Sequence, residues 1–138
     1  MTPTFTQGKF LIAVSESPQG TFVVDGYVSD GGIGLHHGHN KLAADLGLTQ
    51  WNITHLNTGH RIATIFARQD IEAMELGDKI LAAGDWSFTS LNGWENTDPG
   101  LIERVFNIVY AYPNACMGGG QGKRGEEIAR KIAYGRMN

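Results

Sequence analysis

A chain of 138 residues with 41% apolar and 18% charged residues has the composition of one ordinary globular unit, able to bury roughly two thirds of the surface its unfolded form exposes, and not that of a disordered or fibrous protein. Its formal charge of −3 is uneven: Lys123, Arg124, Arg130, Lys131 and Arg136 against Glu126 and Glu127 give the segment 123–138 a charge of +3, and the rest carries −6. An acidic body argues against duplex nucleic acid as a partner, since that affinity rests on several cations facing phosphates.

The apolar run Phe10 to Val14 is too short for a signal-peptide core or a membrane span, and the lone Cys116 cannot close an intramolecular disulfide. The expectation is a cytoplasmic protein with no membrane contact. Nineteen glycines, nearly twice the ordinary share of about 7%, point to many tight turns and a strand-rich half.

In chain order, β-branched and aromatic residues at 9–15 and 21–28 predict a hairpin across the turn SPQG. SDGGIGLHHGHN reads as a glycine-rich loop with a short strand at 33–37, and residues 40–46 as a short helix that Asn40 caps and Gly47 stops. In WNITHLNTGHRIA and the residues after it, apolar and polar side chains alternate on both sides of Asn57, Thr58 and Gly59. That pattern predicts two strands joined by a three-residue loop with Gly59 left-handed. Residues 69–83 have helical spacing, with acidic residues early, Lys79 late and Gly84 as the stop.

DWSF leads into a polar loop. Asp98 and Pro99 then open a helix running to about Ala111, whose apolar residues cover so much of its circumference that burial on nearly all sides is expected. Pro113 ends it, a glycine-rich connector spans 117–125, and EEIARKIAYG predicts a C-terminal amphipathic helix. The sum is a single α+β domain over 1–138, an antiparallel β-sheet built of hairpins with two or three helices packed on one face.

Candidate chemistry is sparse. His36, His37 and His39 fall within four residues, and His55 and His60 flank the second hairpin. In a strand, His37 and His39 would share a face and His36 would oppose them, so two metal ligands are conceivable, with Asp25, Asp30 or Asp45 as a third. HHGHN nevertheless fits no metal-ligand spacing with a mechanical basis, and the remainder of a His-Asn nuclease module is missing.

GGGQGKR at 118–124 resembles a phosphate-binding loop. It lacks the first glycine, where Met117 stands, and carries Arg124 in place of the hydroxyl residue that would meet Mg²⁺. Neither a nucleophilic elbow around a serine nor a carboxylate pair on one helix face is present. The residues favour a non-enzymatic role without a cofactor. Trp94, in NGWENTD, is the tryptophan expected at the surface, with Trp51 and Trp86 in the core.

The segment from Trp51 to Phe88, with W-x-I-T-H-x-x-T-G-x-x-I, a helix and then D-W-S-F, resembles small uncharacterised proteins of phages and mobile elements over about 38 residues. The resemblance implies a protein-binding module, in the form of an inhibitor of a host defence system, with a host protein or defence complex as partner. It brings no catalytic residues. Binding residues on this reading are His36, His37, His39, His55, Trp94, Lys123 and Arg124. The alternative is a small-molecule or nucleotide binder, or a metal-dependent hydrolase using His36, His37 and His39; a homo-oligomeric structural component is the third reading.

Overall fold

The structure, a computed structural model, describes residues 4–13, 21–38, 41–90 and 92–118. The SPQG turn, His39, Asn40, Lys123, Arg124, most of the glycine-rich connector and the C-terminal helix expected at 126–135 lie outside the described residues. The elements are β1 (Thr6–Ala13), β2 (Thr21–Val28), β3 (Ile33–His37), α1 (Lys41–Asp45), β4 (Thr49–His55), β5 (Arg61–Ala67), α2 (Asp70–Leu81), α3 (Gly93–Asn96), α4 (Leu101–Tyr110) and β6 (Ala115–Met117). The six strands form one antiparallel sheet in the order β1-β2-β3-β4-β5-β6, so every strand pairs with its sequence neighbour. The fold is α+β, as the alternation of hairpin and helical patterns indicates. Among the described residues no helix is long and apolar enough to cross a membrane.

Strand alternation divides the sheet into two unlike faces. Ile33, Leu35, Trp51, Ile53, Ala63 and Ile65 face Ala73, Leu76 and Ile80 of α2 and Leu101, Val105 and Val109 of α4, forming the main core. The other face carries His36, Gln50, Asn52 and Thr64, all buried, beside a smaller cluster of Ala43 from α1, Leu48, Phe66 and Cys116. Both faces of β4 are therefore covered.

The polar face is covered partly by the β1–β2 ribbon. β2 stays paired with β3 only at Tyr27 and Val28, and β1 and β2 run on together through the Gly8–Gly26 pair. Past that pair the ribbon folds over the sheet. Phe10 reaches Gly34 and lies edge-on to the His36 ring at 5.7 Å, and the Ala13 N–H donates to Gly59 O at 2.7 Å. Glycine is required at the pivot because a Cβ on Gly26 would overlap the Leu35 carbonyl oxygen.

Several local expectations change. The loop of the second hairpin holds four residues, 56–59, closed by His55 N–H to His60 O at 2.9 Å and Gly59 N–H to His55 O at 2.8 Å; Gly59 is left-handed, with φ +73°. The bulge lies opposite Ile53 and Thr54, so that Ile62 and Ala63, consecutive in sequence, both enter the core. Gly84 is not a left-handed stop for α2; it lets Asp98 and Leu101 approach, since a Cβ there would overlap the Asp98 carboxylate.

Asp98 does not cap α4. Its carboxylate accepts from the Asp85 N–H at 2.9 Å and pairs with Arg104 at 2.7 Å, and Gly100, at φ +86°, precedes the helix instead. The Arg104 hydrogen bond, with a smaller contribution from the Asp85 N–H, holds the Asp98 carboxyl below the usual range. Residues 115–117, read as loop and connector, form β6 against β5, and the polar loop after DWSF contains α3.

Replacing Gly26 by Ala should cost about 2 kcal/mol or more, because the blocking atom belongs to the backbone. Gly8→Ala should cost less, since its Cβ would meet only the Val28 side chain at 3.0 Å. Equilibrium urea unfolding of the two variants measures the difference; equal costs would show that Gly26 is not the pivot.

Candidate functional site

Among the described residues, the histidines of β3 and His55 do not converge. His36 pairs with Asn52 on the polar face, where Asn52 Nδ2 lies 3.4 Å from His36 Nε2. His37 points the other way and sets its ring edge-on to Trp51 at 4.2 Å. Together they line a cleft of about 770 Å³ with Tyr27, Trp51 and Asp70, where the ribbon leaves the sheet. The cleft's Lys9 and Asp25 form an exposed ion pair at 3.5 Å. Among the described residues no three His, Cys, Asp or Glu side chains come together as a metal site.

His55 is placed far from that pair along the sheet, opposite Ile33 at the other end of β3, and it is fully buried. Its Nε2 lies 2.7 Å from Trp86 O and its Nδ1 2.8 Å from Thr58 Oγ1. A carbonyl oxygen can only accept, so Nε2 carries the proton and Nδ1 accepts from the threonine hydroxyl. The ring stacks on Phe88 at 4.2 Å. Asn57 adds two donor contacts to the carbonyls of Ser87 and Phe88. Thus the second hairpin clamps the DWSF segment. Desolvation lowers the His55 pKa from its ordinary value of 6.5, against a smaller upward pull from the Trp86 carbonyl.

The clamp also orders the segment C-terminal to it. Trp86 anchors its indole N–H on Ile80 O at 3.0 Å and meets Trp94 edge-on at 5.1 Å. A Cβ on Gly93 would overlap the Phe88 side chain, so α3 can lie directly against that ring. Trp94 is half-buried, not open at the surface. One edge of it helps line a groove of about 460 Å³ with Arg61, Ile62, Ile102, Met117 and Gly118. Desolvation also draws the Arg61 guanidinium below its ordinary pKa, opposed by a weaker interaction with Cys116.

A second feature adjoins the groove. Ile102, Phe106 and Tyr110 on α4 are 43%, 50% and 39% exposed, and the rings of Phe106 and Tyr110 lie 4.4 Å apart. They follow Leu101, Val105 and Val109 by one residue each, so the exposed stripe lies about 100° around the helix from the buried one. The near-complete burial expected for α4 is therefore not found. Trp94, Pro99 and Glu103 line a shallow extension of the groove along this stripe.

Arg61, Ile102, Phe106 and Tyr110 do not stand out as site residues in the sequence. The signal that could have found them is geometric: two adjacent apolar stripes on a ten-residue helix are more than one sheet face covers. No protein-family model, curated protein or solved structure matches the chain.

His55→Ala should cost about 3 kcal/mol, from a cavity under Phe88 and an unpaired Trp86 carbonyl. Because the folded state holds the His55 pKa down, the unfolded state binds the extra proton first as pH falls. The stability His55 contributes is therefore complete above about pH 6.5 and declines below it. Urea unfolding of wild type and variant between pH 8 and 5 should show their difference shrinking below about pH 6.5; a constant difference would contradict the neutral ring.

Proposed function

We propose that the chain is a non-enzymatic protein-binding module whose contact surface is the outer stripe of α4 with Trp94 and the adjoining groove. One observation carries this reading: Ile102, Phe106 and Tyr110 stand exposed in consecutive turns of one helix. Apolar surface left in water forfeits about 25 cal/mol per Å², and aromatic side chains beside a groove are the common anchors of protein interfaces. The two aromatic rings already lie together, which lowers the entropy lost when a partner orders them.

A host protein or defence complex as the partner, and inhibition as the outcome, are supported by the resemblance of residues 51–88 to small phage proteins. The alternative, a hydrolase or small-molecule binder built on His36, His37 and His39, has less support because His36 and His37 occupy opposite faces of β3.

Phe106→Glu should weaken partner binding by at least about thirtyfold, the scale of a 2 kcal/mol hot spot, without lowering the melting temperature, since the ring is half in water. Ile71→Glu, at an exposed apolar position on α2, is the control. Photo-crosslinking from position 106 and from position 71 in host extract, followed by affinity measurement on the captured partner, checks both. Equal effects of the two substitutions would remove α4 as the contact surface.

A further inference from the structure

The groove beside α4 contains a cation that pairs with no carboxylate among the described residues. Arg61 opens β5 next to the bulge, and its guanidinium, with five donors in a planar fork, is drawn partly out of water. The ion pairs among the described residues are Lys9 with Asp25, Lys79 with Glu75 and Arg104 with Asp98; Arg61 joins none of them and makes no side-chain hydrogen bond there. Most surface arginines lose little by this, because water solvates them. The half-buried guanidinium of Arg61, in a groove that Ile62 and Met117 also line, has lost part of that solvation and gains more than a surface cation when an anion arrives.

The surroundings of Arg61 restrict what that anion is attached to. Trp94, Ile102 and Met117 give the groove an apolar wall, and the exposed Asn92 and Asn96 line it as well. An apolar wall disfavours a small hydrated anion, whereas it accommodates a large apolar side chain next to a charged one. Asparagine side chains suit peptide N–H and C=O groups. A neighbouring groove that shares Trp94 and Ile102 with this one is lined by Glu103 and Phe106, which places Arg61's groove beside the exposed stripe of α4.

We propose that this groove takes a segment of the protein partner in which a carboxylate side chain neighbours a large apolar one, Arg61 holding the carboxylate and Trp94, Ile102 and Met117 the apolar group. The inference rests on the reading of α4 as a binding surface and specifies the chemistry of what binds there. Charge selects the partner and apolar burial retains it, since an Arg–carboxylate pair closed off from water discriminates against the uncharged isostere.

The test uses the full chain and three capped tetrapeptides, acetyl-Leu-Phe-Glu-Leu-amide and its Gln and Lys analogues, followed by ¹⁵N-resolved NMR at the Trp94 indole and the Gly118 amide. The Glu peptide should bind at least about tenfold more tightly than the Gln peptide. Arg61→Gln should abolish that preference without changing the melting temperature, and Arg61→Glu should reverse it in favour of a Lys peptide. Equal affinities of the Glu and Gln peptides for the wild type would overturn the proposal, as would shifts confined to the β1–β2 ribbon or no shift at millimolar peptide. If Phe106→Glu still abolishes partner binding in those cases, the α4 surface stands and only its acidic ligand falls. If Phe106→Glu is silent as well, both readings fail.

Discussion

Strand β4 is buried from Gln50 to His55, and most of those side chains are polar. An antiparallel sheet of this size can leave one face in water, and a row such as Gln50, Asn52 and Thr54 belongs on a wet face. Here the row is covered by the folded-over ribbon and by α1, so its polar groups depend on internal partners, which Gln50 Oε1 lacks among the described residues. Gln50 Nε2 donates to Asn52 Oδ1 at 2.8 Å, Asn52 Nδ2 meets His36, and the Thr64 hydroxyl donates to Gly118 O at 2.8 Å. The links run from β4 to β3 and from β5 to the residue after β6. The network therefore fixes these strands relative to one another, and a slip of one residue would bring Trp51 and Ile53 onto the amides.

From that fixed register the proposed binding surface is built up by contact. β4 ends at His55, whose two ring nitrogens tie the hairpin loop on one side and the Trp86 carbonyl on the other. Trp86 and Phe88, held there, form the platform for Trp94, and α3 packs on α4. The Asp98–Arg104 pair, with Arg104 Nε donating to Ala83 O at 2.8 Å, joins the start of α4 to the end of α2. α4 is thus held along one stripe and at its first turn. Its remaining apolar stripe is displayed on a rigid support, which suits recognition better than a loop would.

The sequence makes legible those features whose cause is local. Period-two alternation on either side of Asn57, Thr58 and Gly59 places β4 and β5, and Gly59 needs only its own φ to mark the turn. α2 shows its apolar spacing and the Glu72 carboxylate that reaches back to the N–H groups of Arg68 and Gln69. Features whose cause lies elsewhere in the chain are not legible. β6 is three residues long and becomes a strand because β5 offers it an edge; nothing in Ala115-Cys116-Met117 alone demands it. Gly84 looks like a helix stop and is in fact spared a side chain because Asp98 must pass. The fold-over of the ribbon depends on Gly8 and Gly26 being opposite each other, a relation between strands that no single window contains.

The histidines illustrate the same division from the side of chemistry. HHGH and His55 attract attention because imidazole is so often a ligand or a base; the buried ring of His36 lies in an amide network, and that of His55 ties the hairpin loop to Trp86. A neutral, doubly hydrogen-bonded ring in a packed aromatic cluster, as at His55, has no lone pair left for substrate or metal. Among the described residues, apolar side chains stand exposed on the β1–β2 ribbon, on α2 and in a row on α4, where the half-buried Arg61 lies close by. Covering the α4 row and the Arg61 guanidinium together is what the proposed association would gain free energy from. That association draws on the described helix that lies farthest in sequence from the histidine cluster.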